Sequence, residues 1–183
     1  MINVRNIVKK LFGKNSNDTD IISYHRNRGV TIGDNVDIID SYLDGCHGAL
    51  IKIGNNVTIT GARILTHDAS TKKFLGYSKI GMVTIGNDVF IGNGAIILPG
   101  TKIGDNVIIG AGAVVAHDVP DNSVVIGNPA QILCKTSDYI KNNADKINSG
   151  NYFVSDKYFC NRTAEDWSQL KYELEQCGYG FDL

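Results

Sequence analysis

The chain has 183 residues, 20 glycines against 3 prolines, and a formal net charge of −1 at pH 7. That length accommodates one domain with a sizeable core, and a charge so near zero offers no basic excess to attract nucleic acid. No apolar run reaches the roughly 18 residues of a membrane span, and the glycine-rich, proline-poor balance suits tight corners rather than a disordered chain.

Residues 1–28 read as a short lead-in. Basic residues stand among Ile2, Val4, Ile7, Val8, Leu11 and Phe12 without a long apolar stretch. The segment is therefore not a signal peptide, and it suits an amphipathic helix. Packing of that helix on the protein is the plain expectation, and peripheral contact with a membrane surface is the alternative. Cys46, Cys134, Cys160 and Cys177 form no CxxC pair. Without a signal peptide the expected compartment is the cytoplasm, with reduced thiols and no zinc site.

Residues 29–132 carry the most informative pattern. Ile85, Ile91, Ile97, Ile103, Ile109 and Val115 follow one another at strict six-residue spacing, and Gly86, Gly92, Gly104 and Gly110 each follow one of them directly. Val89, Ala95, Val107, Ala113 and Val119 each come four positions after a member of the series. Period six matches neither the 3.6 of a helix nor the 2 of a strand. It matches a coil that turns a corner every six residues and points one aliphatic inward per side. Three sides close a triangle, and successive coils stack at the strand spacing of about 4.8 Å. Repeats of this kind mark a parallel β-helix. The Asn and Asp of IGDN, IGNN and IGND suit the corners, since both tolerate left-handed backbone.

Upstream, the spacing recurs at Ile32 and Ile38, and again at Ile53, Ile59 and Leu65. Residues 39–52 interrupt it. Residues 68–82 interrupt it again, in a longer polar loop that follows His67. Aperiodic loops on a regular scaffold often carry function. Residues 133–183 form a tail that contains Trp167 and no hexad. Within it, DYIKNNADKI and TAEDWSQLKYELEQC read as helices, the second with Thr163 as N-cap and Glu165 and Asp166 in an acidic first turn. Such a tail would cap the strand edges at the end of a coil stack.

The hexads, with THDAS and the run VTIGNDVFIGNGAIILPGTKIGDNVIIGAGAVVAHDVPDNSVVIGNPAQI, resemble the hexapeptide-repeat acyltransferases. The similarity is closest to the O-acetyltransferase branch, which includes galactoside, maltose and nodulation-factor acetyltransferases and enzymes of surface-polysaccharide clusters. It implies an all-β solenoid, a left-handed parallel β-helix, although the usual crossover rule would give the opposite hand. It also implies a homotrimer with acetyl-CoA sites between neighbouring subunits.

Acetyl transfer from a thioester to an alcohol needs a base near neutral pKa within reach of the attacking hydroxyl, and histidine is the natural candidate. Of His25, His47, His67 and His117, only His67 ends a hexad run and opens the polar loop, and it matches the family's catalytic position. Asp68 stands next to it as an orienting group, but adjacent side chains on extended backbone point apart, so a solvated turn role is equally open. An oxyanion needs a backbone donor in a tight turn, and the resemblance places it at Asn93 and Gly94 of IGNGA. The resemblance also assigns coenzyme contacts to Asn93, Ala111, Ala116 and His117, where small side chains leave the coil surface bare for pantetheine. A Thr-Lys pair common in the family is replaced here by Ala116–His117, so the lysine's charge for the coenzyme phosphates is lost or only partly replaced by His117, with Lys135 as a candidate replacement cation. The resemblance brings residues 37–44 opposite the His67 loop, which makes Asp40 and Asp44 candidate acceptor ligands, joined by Tyr77 and Lys79 on location alone.

The reading is an acetyl-CoA-dependent O-acetyltransferase acting on a sugar hydroxyl of a capsule or O-antigen, with no metal required. Two alternatives keep the same solenoid: an N-acetyltransferase of an amino sugar, and a non-catalytic scaffold. A γ-type carbonic anhydrase would need three histidines around Zn²⁺, and no two of the four histidines are close in sequence.

Overall fold

A computed structural model describes residues 17–155 and 162–182. The chain divides into two compact units, one spanning Ser16–Ser137 and one whose described residues lie between Asp138 and Asp182. The amphipathic helix expected over residues 2–12 lies outside the described residues.

The first unit opens with α1 (Asn17–Asn27) and then makes three-sided coils. The first coil is β1 (Thr31–Ile32), β2 (Asp37–Ile39) and β3 (Tyr42–Leu43); the second is β4 (Ile51–Ile53), β5 (Thr58–Thr60) and β6 (Arg63–Ile64). A hairpin of β7 (His67–Asp68) and β8 (Lys79–Ile80), with the short helix α2 (Lys72–Leu75) at its tip, leaves the stack here. The third coil is β9 (Val83–Ile85), β10 (Phe90–Ile91) and β11 (Ile96–Ile97), and the fourth is β12 (Lys102–Ile103), β13 (Ile108–Ile109) and β14 (Val114–Val115). The last side is β15 (Ser123–Ile126), and β16 (Gln131–Lys135) folds back along it.

The strands stack into three flat faces. The first face holds β1, β4, β9 and β12; the second holds β2, β5, β10, β13, β15 and β16; the third holds β3, β6, β11 and β14. Pairing within the faces is parallel throughout, except that β16 runs antiparallel to β15. Where no loop intervenes, the register offset is one coil of 18 residues, as in Phe90 against Ile108 and Ile96 against Val114. Ile85, Ile91, Ile97, Ile103, Ile109 and Val115 all point inward and none is more than 2% exposed. The period-six reading therefore holds across this stretch.

It slips by one residue upstream. The inward residue of β6 is Ile64, fully buried, while Leu65 is only half-buried. Thr58 and Arg63 pair with Phe90 and Ile96, so this side spans five residues where the coil above spans six. Gly61, at φ +54, takes the shortened corner.

The corner between the first and second faces is built from side chains as well as backbone. Asn35, Asn56, Asp88, Asn106 and Asn122 form a column there, each with φ between 54 and 59. Asn35 donates to Asn56, Asn56 to Asp88, and Asn106 to Asn122. One residue earlier in each coil, an Asn or Asp side-chain oxygen accepts from the backbone N–H of the preceding coil: Asn55 from Asp34, Asn87 from Asn55, Asp105 from Asn87, and Asp121 from Asp105. The hexad glycines answer a different need. A Cβ on Gly86 would stand 2.6 Å from the carbonyl oxygen of Gly104, so only hydrogen lets the coils approach.

Helix α1 covers the first coil, with Ile22 packed against the core and His25 buried. Arg26 donates to the carbonyls of Ile32 and Gly33 and ties the helix to β1. At the other end the unit runs past residue 132, because β16 completes the second face. The second unit contains α3 (Thr136–Asn148, from Asp138 onward), β17 (Phe153–Val154), α4 (Ala164–Cys177) and β18 (Gly180–Phe181), with β17 parallel to β18. Thr163 caps α4 in a capping box with Asp166. No described helix is long and apolar enough to cross a membrane.

Candidate active site

Both interruptions of the repeat leave the stack at one corner, between the third and first faces. Residues 44–50 depart after β3, and residues 65–82 depart after β6. Because β3 and β6 are neighbours with Leu43 opposite Ile64, the two departures lie side by side. The Asp44 N–H donates to the Ile64 carbonyl at 3.0 Å, and the longer loop returns with the Gly81 N–H donating to the Thr66 carbonyl at 2.9 Å.

This stacking sets Asp44 beneath His67. Oδ2 of Asp44 lies 2.5 Å from Nδ1 of His67. The same oxygen accepts from the Thr66 hydroxyl at 2.7 Å and the Thr66 N–H at 3.3 Å, while Oδ1 accepts from the Cys46 N–H at 3.1 Å. Asp44 is fully buried. Burial would raise its pKa, but the hydrogen bonds from His67, Thr66 and Cys46 outweigh it and hold the carboxyl at about 2. An ionised carboxylate accepts but cannot donate. It therefore fixes the hydrogen of neutral His67 on Nδ1 and leaves the lone pair on Nε2. His67 is about one-third exposed, so that lone pair has a route to solvent.

The geometry gives Asp44 a task other than holding acceptor hydroxyls, since its oxygens are turned inward and occupied. Asp68 takes the turn role rather than the orienting one. It accepts from the Ser70 N–H at 2.8 Å and pairs with Lys79 at 2.6 Å, closing the β7–β8 hairpin, and the lysine's hydrogen bond holds its carboxyl well below the usual range. Lys79, an acceptor candidate on location alone, is thus engaged within its own loop. Tyr77 is 80% exposed on that loop.

His47 joins the site, although nothing in its spacing from His67 announced it. Its Nδ1 lies 3.9 Å from Oδ2 of Asp44, and its ring centroid lies 5.3 Å from that of His67. The ligand atoms of Asp44, His47 and His67 lie within 4.8 Å of one another. The Asp44–His67 distance nevertheless belongs to a hydrogen bond: two ligands of a tetrahedral zinc with bonds of about 2.0–2.1 Å would stand about 3.3 Å apart. His25 is excluded from acid–base work at the surface, being buried among α1 and the first coil, where burial and then Arg28 lower its pKa.

The remaining expected residues fall on other edges of the same prism. Ala116 and His117 are exposed on the His67 edge, two coils further along: the Leu65 N–H donates to the Ile97 carbonyl and the Leu98 N–H to the Val115 carbonyl. Asn93, Gly94 and Ala111 lie at the corner between the second and third faces. Asp40, at φ +46, shares that edge through the Gly61 N–H, which donates to the Ile39 carbonyl. Asp40 and Asp44, read together from sequence, are therefore on different edges. The Gly94 N–H donates to the Gly61 carbonyl at 3.0 Å. That amide is engaged within the stack of the single chain. Lys135 is exposed at the end of β16, opposite Ser123. One chain thus brings together Asp44, His47 and His67, and separates them from Asn93 and Ala111.

Comparison with known proteins matches the geometry to a group of enzymes. The family model for bacterial transferase hexapeptide repeats (six repeats) matches residues 82–117. Protein CapG of Staphylococcus aureus is 39% identical over 173 residues, which cover 89% of this chain and 98% of that protein. Among solved structures, a maltose O-acetyltransferase from Clostridium difficile 630 superposes with a TM-score of 0.52 at 29% identity, over 72% of this chain and 84% of that one. A galactoside acetyltransferase in complex with coenzyme A gives 0.51 at 22% identity, over 82% of each chain. The fold held in common is the left-handed parallel β-helix.

Proposed function

Because the chain belongs to the hexapeptide-repeat transferases, we propose that it moves an acetyl group from acetyl-CoA to a hydroxyl of a carbohydrate acceptor in the cytoplasm. The observation that carries the reading is the Asp44–His67 pair: an imidazole whose Nδ1 is held by a buried carboxylate, on a loop that departs from a rigid stack. Nε2 takes the proton of the acceptor hydroxyl as its oxygen attacks the thioester carbonyl carbon. Asp44 stabilises the imidazolium that forms. When the tetrahedral intermediate collapses, the C–S bond breaks, the acetyl ester remains on the acceptor, and the proton on Nε2 passes to the departing sulfur.

The likeness to a maltose O-acetyltransferase supports a sugar acceptor, and surface polysaccharide of the capsule or O-antigen kind is the finer assignment proposed from the resemblance of the loop and repeat motifs. The division of the expected residues between two edges supports a closed three-fold assembly. The His67 edge of one subunit would then face the Asn93 and Ala111 edge of the next, and cyclic symmetry would make three equivalent grooves. In that groove Ala111, Ala116 and His117 admit pantetheine, with His117 and Lys135 as the cations available to the phosphates. Asn93 offers its own amides toward the thioester. Asp40 and Tyr77 remain the acceptor contacts to be tested.

The test is release of free coenzyme A on mixing the protein with acetyl-CoA and a panel of hexoses, amino sugars and uronic acids. Transfer to a hydroxyl, read as a base-labile ester in the product, supports the proposal. A base-stable amide on an amino sugar, or release independent of any sugar, would replace it.

A further inference from the structure

We propose that His47 is a second acceptor-binding imidazole, and that the preferred acceptor carries a hydroxyl on the carbon adjacent to the one acetylated. The proposal rests on the reading of His67 as the base and extends it to a substrate class, a vicinal diol.

His47 is firmly held. It sits in a seven-residue departure clamped on both sides by Arg28. The Arg28 guanidinium donates to the Gly45 carbonyl from Nε at 3.2 Å and from Nη2 at 2.9 Å. Beyond the histidine, Gly48 packs so closely that a Cβ there would stand 2.3 Å from the Arg28 carbonyl oxygen. A short 3₁₀ turn, Gly48–Leu50, then closes the segment, with the Leu50 N–H donating to the His47 carbonyl at 2.9 Å. A surface histidine of no consequence needs no such clamp.

The ring is also oriented. Its Nδ1 is buried without a hydrogen-bond partner among the described residues, and the nearest acceptor is the carboxylate of Asp44 at 3.9 Å. About 39% of the side chain is exposed, so the outer edge of the ring faces solvent on the same side as His67. Two imidazoles thus lean on one carboxylate with ring centroids 5.3 Å apart, tilted by 47°. In each ring Nδ1 is the nitrogen turned to Asp44, so Nε2 points away from the carboxylate. Rings with centroids 5.3 Å apart are spaced to reach neighbouring oxygens of one sugar ring rather than groups at its opposite ends. His67 takes the hydroxyl that attacks, and His47 bonds to the one beside it.

The experiment uses the full chain with methyl galactoside and methyl glucoside as probes, each alongside its monodeoxy derivatives. His47→Ala should raise the acceptor KM about tenfold, the size of one lost hydrogen bond, with the acetyl-CoA KM unchanged. His47→Gln, which keeps a polar atom near the same place, should recover part of the loss. The parent should lose a similar factor on the derivative lacking the adjacent hydroxyl, and His47→Ala should lose nothing further on it. Losses that multiply, or a fall in kcat at constant KM, would overturn the proposal. Where neither glycoside turns over, imidazole NMR decides: either probe at high concentration should shift the His47 ring resonances together with those of His67, and an unmoved His47 overturns the assignment. Failure of His67 as the base is read separately, from kcat of His67→Ala.

Discussion

Nδ1 of His67 and Oδ2 of Asp44 stand 2.5 Å apart although 23 residues separate them in the chain. The contact exists because β3 and β6 are stacked neighbours and both chains leave the stack at the same corner. Imidazole and carboxylate are therefore held by adjacent coils of one scaffold, which preserves their geometry without the loop having to supply it.

Removing the base is the first test. His67→Ala should lower kcat by about 10²–10⁴-fold, the usual loss on deleting a general base. Acetyl-CoA binding, followed by calorimetry, should persist. A kcat within a fewfold of the parent would move the chemistry elsewhere.

Asp44→Asn separates orientation from packing. The amide is nearly isosteric, but its NH₂ can donate to Nδ1 and turn the lone pair of His67 inward. We expect kcat to fall by at least 10²-fold, as for other orienting carboxylates of this kind, with the acceptor KM little changed. Asp44→Ala should in addition lower stability by about 1–3 kcal/mol, because it strands the buried Thr66 hydroxyl and the Cys46 N–H. Urea unfolding of both variants measures the difference.

Acid sensitivity follows from the same carboxylate. Its pKa is lowered from 3.8 to about 2 in the folded chain. A depressed carboxyl contributes its stability above the unfolded value and loses it as pH falls through the folded value. The contribution, about 2 kcal/mol for a shift of this size, should disappear between pH 4 and pH 2. Unfolding midpoints across that window should fall more steeply for the parent than for Asp44→Asn. Equal slopes would show that Asp44 is not the group responsible.

The proposed pairing of edges from neighbouring subunits makes a distinctive prediction about mixtures. Ala111→Leu should fill the pantetheine groove and raise the acetyl-CoA KM. Its thermal stability should be checked in parallel, since overpacking typically costs 1–3 kcal/mol. Unfolded and refolded together, His67→Ala and Ala111→Leu chains should, at low acetyl-CoA, show more activity than the sum of the two alone. In mixed assemblies an intact His67 edge meets an intact Ala111 edge. Light scattering should show a trimer throughout. No recovery in well-formed mixed trimers would place both residues in the same chain's site.

The coil stack was legible because each inward aliphatic recurs at a spacing no other structure needs. Ile85 to Val115 could be placed from the sequence alone. Ile64 was harder, because the one-residue shortening at Gly61 shifts the inward position away from Leu65 without any change in composition. His67 was legible as the residue that opens the long loop. The partnership with Asp44 was not, because a contact between coils depends on which corner each loop leaves from. The signal was present in weaker form: two interruptions in consecutive coils at matching positions place the residues that begin them side by side. His47 could have been found that way, three residues into the first interruption. The hydrogen bond from the Gly94 N–H to the Gly61 carbonyl was hidden for the same reason, since a turn amide looks free until the neighbouring coil is in place.

The column of Asn35, Asn56, Asp88, Asn106 and Asn122 makes every coil end in the same conformation, whatever has been inserted at the opposite corner. Height along the stack is therefore counted in whole coils of about 4.8 Å. The interval between His67 and His117 on their shared edge is two such steps. Deleting one uninterrupted coil, 18 residues from Gly86 to Ile103, would join like corners and bring His117 one step nearer to His67. A chain built in this way sets the reach of its cosubstrate in whole steps, while the Asp44–His67 contact below the deletion stays in place.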